Sequence, residues 1–160
     1  MNIHCLKSLA VAAGLVLMLS ACDKKSDKPC PPVTTSAPAE EVSRLEQYLA
    51  SANITATKDD RGFYYTIKNA GSGDKPNACS TVKVAYKGRL TNGEEFDASS
   101  GVEFPLQDLI AGWQEGIPLI APGGSITLYL PPSLAYGNAA QQGIPANSIL
   151  VFEIDLLSVD

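Results

Sequence analysis

The sequence predicts an α+β chain, with one half-buried antiparallel sheet closed over a short helix and a further helix ahead of it. Three observations predict it. Apolar residues alternate with period two at Val82, Val84 and Tyr86, at Ile126, Leu128 and Leu130, and at Leu150, Phe152, Ile154 and Leu156. Leu109, Ile110 and Trp113 stand instead at one-turn spacing, inside a stretch (107–120) that otherwise lacks strand character. Ahead of both, Val42, Leu45, Tyr48, Leu49 and Ala52 form a helical stripe.

Taken in order, the first helix is expected over 39–52, with Glu40 and Glu41 placed to complement the N-terminal end of its dipole. Aromatic and β-branched residues at 63–68 predict a strand. The strand carrying Val82, Val84 and Tyr86 turns at Asn92-Gly93, a strong hairpin pair, into Glu95-Phe96-Asp97. Gly123-Gly124 turns into a strand at 125–130, and the last strand runs through 149–157. Between them, residues 131–148 show no periodicity and are rich in Gly, Pro, Asn, Gln and Ala, yet contain Leu134, Tyr136 and Ile144. A loop of that length with apolar anchors reads as an ordered flap over a pocket.

Composition bounds the chemistry. The 160 residues are 45% hydrophobic and 18% charged, as in a globular domain with appendages. The net charge of −5 disfavours nucleic acid, which needs a clustered basic face. Lys7 followed by an apolar run at 9–19 reads as a targeting segment, too short to span a bilayer at about 20 residues. The single histidine, His4, lies inside it. A mature chain would therefore lack imidazole, which excludes Ser-His-Asp and Cys-His chemistry. The cysteine and carboxylate spacings match no common zinc set, and Gly71-Ser72-Gly73 before Asp74 is a poor phosphate cradle. No metal and no cofactor are expected. Glu94, Glu95 and Asp97 crowd one turn, the pattern of solvated hairpin charges, although a carboxylate pair is not excluded by sequence.

Four segments carry a resemblance: VKVAYKGRLTNGEEFDASS, FPLQDLIAGWQEGI, LAYGNAAQQGIPANS and LVFEIDLL. In order and spacing, from about Gly62 onward, they resemble the FKBP-type peptidyl-prolyl cis-trans isomerases. The resemblance implies a strongly curved antiparallel sheet wrapped around a short helix, with the pocket between helix and concave face. It implies catalysis of X-Pro isomerisation without a covalent intermediate. By matched position, Trp113 resembles the pocket floor, and Tyr86, Phe96, Ile110 and Phe152 its walls. The Ile110 backbone N–H and the Tyr136 hydroxyl resemble donors to substrate carbonyls, and Asp97, expected to be buried, the pocket carboxylate. Val102, Phe104, Leu109 and Ile144 are expected to touch substrate around the rim. Partners implied are proline-containing proteins and macrolide immunosuppressant inhibitors. Two departures bear on inhibitor affinity and sequence preference: Val102 stands where the family's prototype carries an aromatic, and the flap is slightly short at Gly143-Ile144-Pro145-Ala146-Asn147.

Leu19-Ser20-Ala21-Cys22 resembles a bacterial lipobox, implying cleavage before Cys22 and acylation of its sulfur. Two or more acyl chains would anchor the protein stably to a membrane of the cell envelope, as in lipoprotein and macrophage-infectivity-potentiator-like members of the family. The expected division is a signal at 1–21, a Pro-rich linker at 22–38, a helix and connection at 39–58 and an isomerase domain at 59–160. Lys24, Lys25 and Lys28 suit either anionic headgroups or a solvated linker. Cys30 and Cys79 remain, and an oxidising compartment favours their pairing. Against it, Cys30 lies in the Pro-rich stretch, where a bond would only pin that stretch to the domain. In the potentiator-like branch a long helix serves as a dimerisation arm, but about four turns are too few, so a monomer is expected. The rival reading is a non-catalytic proline-peptide-binding module or an adhesin-like surface lipoprotein.

Overall fold

The computed structural model describes residues 30–160, and the expected targeting segment and the expected lipidation site at Cys22 lie outside them. A helix α1 (Ala39–Ser51) is followed by strands β1 (Thr57–Lys58), β2 (Tyr64–Asn69), β3 (Thr81–Leu90) and β4 (Glu95–Pro105). Then come helix α2 (Ala111–Gly116), β5 (Ser125–Leu130) and β6 (Leu150–Val159). Single 3₁₀ turns at Leu106–Asp108 and Ile117–Leu119 flank α2, and a third, Pro132–Leu134, opens the long loop. The strands form one antiparallel sheet in the order β1-β2-β5-β6-β3-β4.

The period-two residues behave as expected. Val82 and Val84, Ile126, Leu128 and Leu130, and Leu150, Phe152, Ile154 and Leu156 are all buried in one cluster with Trp113 and Ile117 of the α2 region. Helix α2 lies unusually close to β5 because two of its six residues are glycines on the sheet side. A Cβ added to Gly116 would sit 2.6 Å from both methyls of Leu128, and one on Gly112 would collide with Leu130. That close seat turns Trp113 under the sheet.

The expectation of a half-buried sheet needs correction at β5. Thr127 and Tyr129 face away from the main core, yet they are 6% and 8% exposed. Helix α1 covers Tyr129: Leu45 and Leu49 form a second cluster with Tyr129 and Ile149. The alternation holds, but a distant helix supplies a cover that local pattern does not reveal. Strand β4 also extends well past Asp97. Ala98-Ser99-Ser100-Gly101 carries no alternation; Ala98 and Ser99 pair with Lys87 and Tyr86 of β3, and Ser100 and Gly101 fall at the register shift that follows.

The end of the Pro-rich stretch is tied down. The Ala37 N–H donates to the Arg61 carbonyl at 2.8 Å, and Cys30 and Cys79 form a disulfide with Cα atoms 5.5 Å apart. Closing a loop between positions 49 apart in sequence restricts the unfolded chain by up to about 4 kcal/mol.

Overfilling the helix–sheet seam is expected to be costly. Gly116→Ala should lower stability by about 1–3 kcal/mol, read as a shifted urea midpoint at unchanged slope. An unchanged midpoint would show that Leu128 yields freely.

Candidate functional site

Rings from four elements converge beside α2. Trp113 meets Tyr86 of β3 at 5.1 Å between centroids and 82°, and Phe152 of β6 at 5.2 Å and 88°. Phe104 of β4 lies at 6.4 Å and 77°. Such edge-to-face contacts are the favoured arrangement of aromatic quadrupoles. Phe96 in turn stands on Phe152 at 5.6 Å and 87°. Together with Asp97, Leu109, Ile110 and Tyr136, the rings of Tyr86, Phe104, Trp113 and Phe152 line a cavity of about 180 Å³.

The backbone explains this convergence. Register shifts between Val84 and Tyr86 and between Gly88 and Arg89 mark irregularities in the β3–β4 ladder, and such bulges re-aim side chains. Gly88 is required for space: a Cβ there would lie 2.6 Å from Phe96 and 2.9 Å from Phe152. Sequence reasoning missed Gly88, although a glycine inside a strand signals close approach by a neighbour. Ile110 caps α2. Its carbonyl accepts from the N–H groups of Trp113 and Gln114 at 2.9 and 3.1 Å. Its own N–H makes no hydrogen bond among the described residues.

The polar edge of the cavity is held by one short bond. The Tyr86 hydroxyl donates to Asp97 Oδ2 at 2.5 Å. Contrary to the expectation of a buried acid, Asp97 is exposed at the mouth. Solvent there supports the carboxylate charge that a dry core would penalise. Burial, reinforced by the Asp97 hydrogen bond and charge, pushes the Tyr86 phenol far above its ordinary value. Burial, and then the Asp97 charge, also raises Tyr136. Both hydroxyls are protonated at neutral pH, as an ordinary phenol is, and remain donors further into the alkaline range. Trp113 Nε1 has no hydrogen-bond partner among the described residues. An unpaired buried donor costs about 1–3 kcal/mol.

Residues 131–148 form an ordered flap. Leu134 and Ile144 are buried, and the N–H groups of Gln141 and Ile144 donate to each other's carbonyls at 2.9 and 3.0 Å. The Asn147 N–H donates to the Gly137 carbonyl at 2.9 Å, next to Tyr136. Phe96 and Ile144 do not line the small cavity. They lie in an adjoining open groove of about 760 Å³ that shares Asp97 and Tyr136 with it and is otherwise lined by Glu94, Glu95, Gln141, Gln142 and Gly143. The smaller cavity is the one whose walls are mainly rings. Val102 lines neither space; it packs half-buried against the core, paired with Val84.

The sequence profile of the FKBP-type peptidyl-prolyl cis-trans isomerases matches residues 73–157. The FKBP-type peptidyl-prolyl cis-trans isomerase FkpA of Escherichia coli strain K12 is 47% identical over 102 residues, covering 61% of this chain and 38% of that protein. The chain thus spans well under half the length of that relative. The crystal structure of FkpA from Escherichia coli superposes with a TM-score of 0.69 at 39% identity, over 76% of this chain and 60% of that one. A peptidyl-prolyl cis-trans isomerase from Pseudomonas syringae pv. tomato gives 0.67 at 32% identity, over 79% of this chain and 98% of its own.

The raised phenols are directly observable. The stability they contribute is fully present below the ordinary tyrosine value of about 10 and is lost as pH rises through their higher folded-state values. Ultraviolet titration of the native protein should show late-titrating phenols, and Tyr86→Phe should remove the latest. Full titration of every tyrosine near pH 10 in the folded state would contradict this geometry.

Proposed function

Starting from the family to which the chain belongs, the FKBP-type peptidyl-prolyl cis-trans isomerases, we propose that it catalyses cis-trans isomerisation of X-Pro bonds in folding or exported proteins. The observation that carries the proposal is the ring-walled cavity of about 180 Å³ with protonated donors at its edge and no nucleophile or imidazole within it.

Rotation about a peptide bond faces about 18–20 kcal/mol because resonance is lost midway. For X-Pro bonds it takes tens to hundreds of seconds uncatalysed, slow enough to limit folding. The twisted amide is less dipolar than the planar one and needs less hydration at its carbonyl. A dry cavity therefore disfavours the planar form relative to the twisted one, which is differential binding of the transition state. Lowering the barrier by about 5–8 kcal/mol corresponds to roughly four to six decades in rate. In this reading the proline ring rests on Trp113 between Tyr86, Ile110 and Phe152. The Ile110 N–H and the Tyr136 hydroxyl bind carbonyls, and Asp97 orients Tyr86. Phe104 and Leu109 form the rim, Phe96 and Ile144 receive the flanking chain in the adjoining groove, and Val102 acts only through packing. Macrolide inhibitors would occupy the same cavity.

The proposed location is the bacterial cell envelope, with acylated Cys22 holding the protein to a membrane and the domain facing the periplasm or cell surface. The targeting segment at 1–21 supports it, and the Cys30–Cys79 disulfide fits an oxidising compartment. A linker at 22–38 and a catalytic region from 59 complete the proposed division. A monomer is the proposed state, supported by α1, whose leucines are spent on its own sheet.

A proline-peptide isomerisation assay on the full chain tests the proposal. Tyr136→Phe should reduce kcat/KM about two- to ten-fold, the worth of one hydrogen bond. Trp113→Leu and Asp97→Leu should each cost about ten-fold or more. Binding of proline peptides by the native chain with isomerisation at the uncatalysed rate would establish the binding-module reading instead.

A further inference from the structure

Helix α1 reaches the neck of the flap at both of its ends. The Ser133 N–H, at the flap's start, donates to Glu41 Oε2 at 2.9 Å. The Asn147 carbonyl, at its end, accepts from Arg44 Nη2 at 3.0 Å. Positions 41 and 44 are one turn apart and so project from one helix face. Two residues beyond Asn147, Ile149 is buried against Leu45 and Leu49, so the polar bridge lies over an apolar dock.

The grip extends toward the site. Asn147 has a left-handed backbone (φ 59°), which asparagine tolerates better than most residues, and its N–H donates to the Gly137 carbonyl. The Gly137 N–H donates in turn to the Pro132 carbonyl at 2.8 Å. Arg44, Asn147 and Gly137 thus form a continuous hydrogen-bonded line ending at the peptide next to Tyr136. That side chain is 39% exposed and belongs to a loop with few buried anchors, so its aim depends on the neck.

We propose that Glu41 and Arg44 are positioning residues for the flap, making α1 a working part of the substrate site that holds Tyr136 and Ile144 in place. The role rests on the isomerase reading, since it acts through the Tyr136 donor. Because the Arg44 bond is solvent-exposed, its effect is moderate.

The test uses the full chain with Arg44→Met, which keeps the stem and removes the donors, and Arg44→Lys, which restores one. Three quantities are read: peptide isomerisation kinetics, amide hydrogen exchange at residues 137–147, and the global unfolding midpoint. Arg44→Met should raise KM about two- to five-fold at unchanged kcat. It should also speed exchange at Ile144 and Asn147 more than in β5 and β6, and Arg44→Lys should recover most of both effects. The proposal is overturned if flap exchange is unchanged, if flap and sheet amides accelerate equally, or if the flap loosens while KM stays fixed. Absence of isomerisation in the native chain would sink the isomerase reading and, with it, this role; unchanged flap exchange in an active enzyme would sink only the brace.

Discussion

The seat of α2 on β5 governs the rest of the molecule. A helix of six residues has little stability of its own, and it is held by burying Trp113 and the following Ile117 against the sheet. It can come close enough to do so because Gly112 and Gly116 present no side chain to Leu130 and Leu128. A longer separation would leave Trp113 short of Tyr86 and Phe152, and the hollow between helix and sheet would lose its floor. Gly88 performs the matching service on the sheet side by letting Phe96 and Phe152 lie against the strand.

That arrangement sets a stability cost against a function. Among the described residues the Trp113 N–H has no hydrogen-bond partner, and a well-ordered apolar residue would avoid the penalty. What the ring supplies is a broad flat surface crossed by three other rings at steep angles. Charge is kept at the mouth, where Asp97 stays in contact with water while fixing the Tyr86 hydroxyl. The cavity is consequently ring-walled within and polar at one edge, the division that the proposed isomerisation calls for.

How much of this was legible in the sequence depended on range. Trp113, Tyr86 and Phe152 were readable because each sits in a periodic element whose apolar face must be buried. The flap was readable as a break in periodicity containing Tyr136 and Ile144. Asp97 was misjudged because burial is set by the neighbours of β4 and not by its own flanking Phe96. Gly88 gave only the generic sign of a glycine in a strand, since the rings that need its space arrive from 8 and 64 residues away. The half-buried alternation of β5 does not reveal that Tyr129 is covered, because its cover, α1, is some 80 residues upstream. The ties from Glu41 and Arg44 to the flap lie 92 and 103 residues apart in sequence, beyond any local pattern. Family resemblance supplied the order of the pocket residues. It said nothing of these ties, which belong to this chain's own helix.

The central claim is that the cavity eases rotation of an imide without reacting with it. The most direct check compares the rate of X-Pro exchange in a short peptide, followed by NMR with the full chain, in light and heavy water. The account predicts strong acceleration over the free peptide and a solvent isotope effect near one, because no proton moves to or from a side chain. An isotope effect of about two or more, as expected for rate-limiting proton transfer, or no acceleration when the peptide fills the cavity, would contradict it.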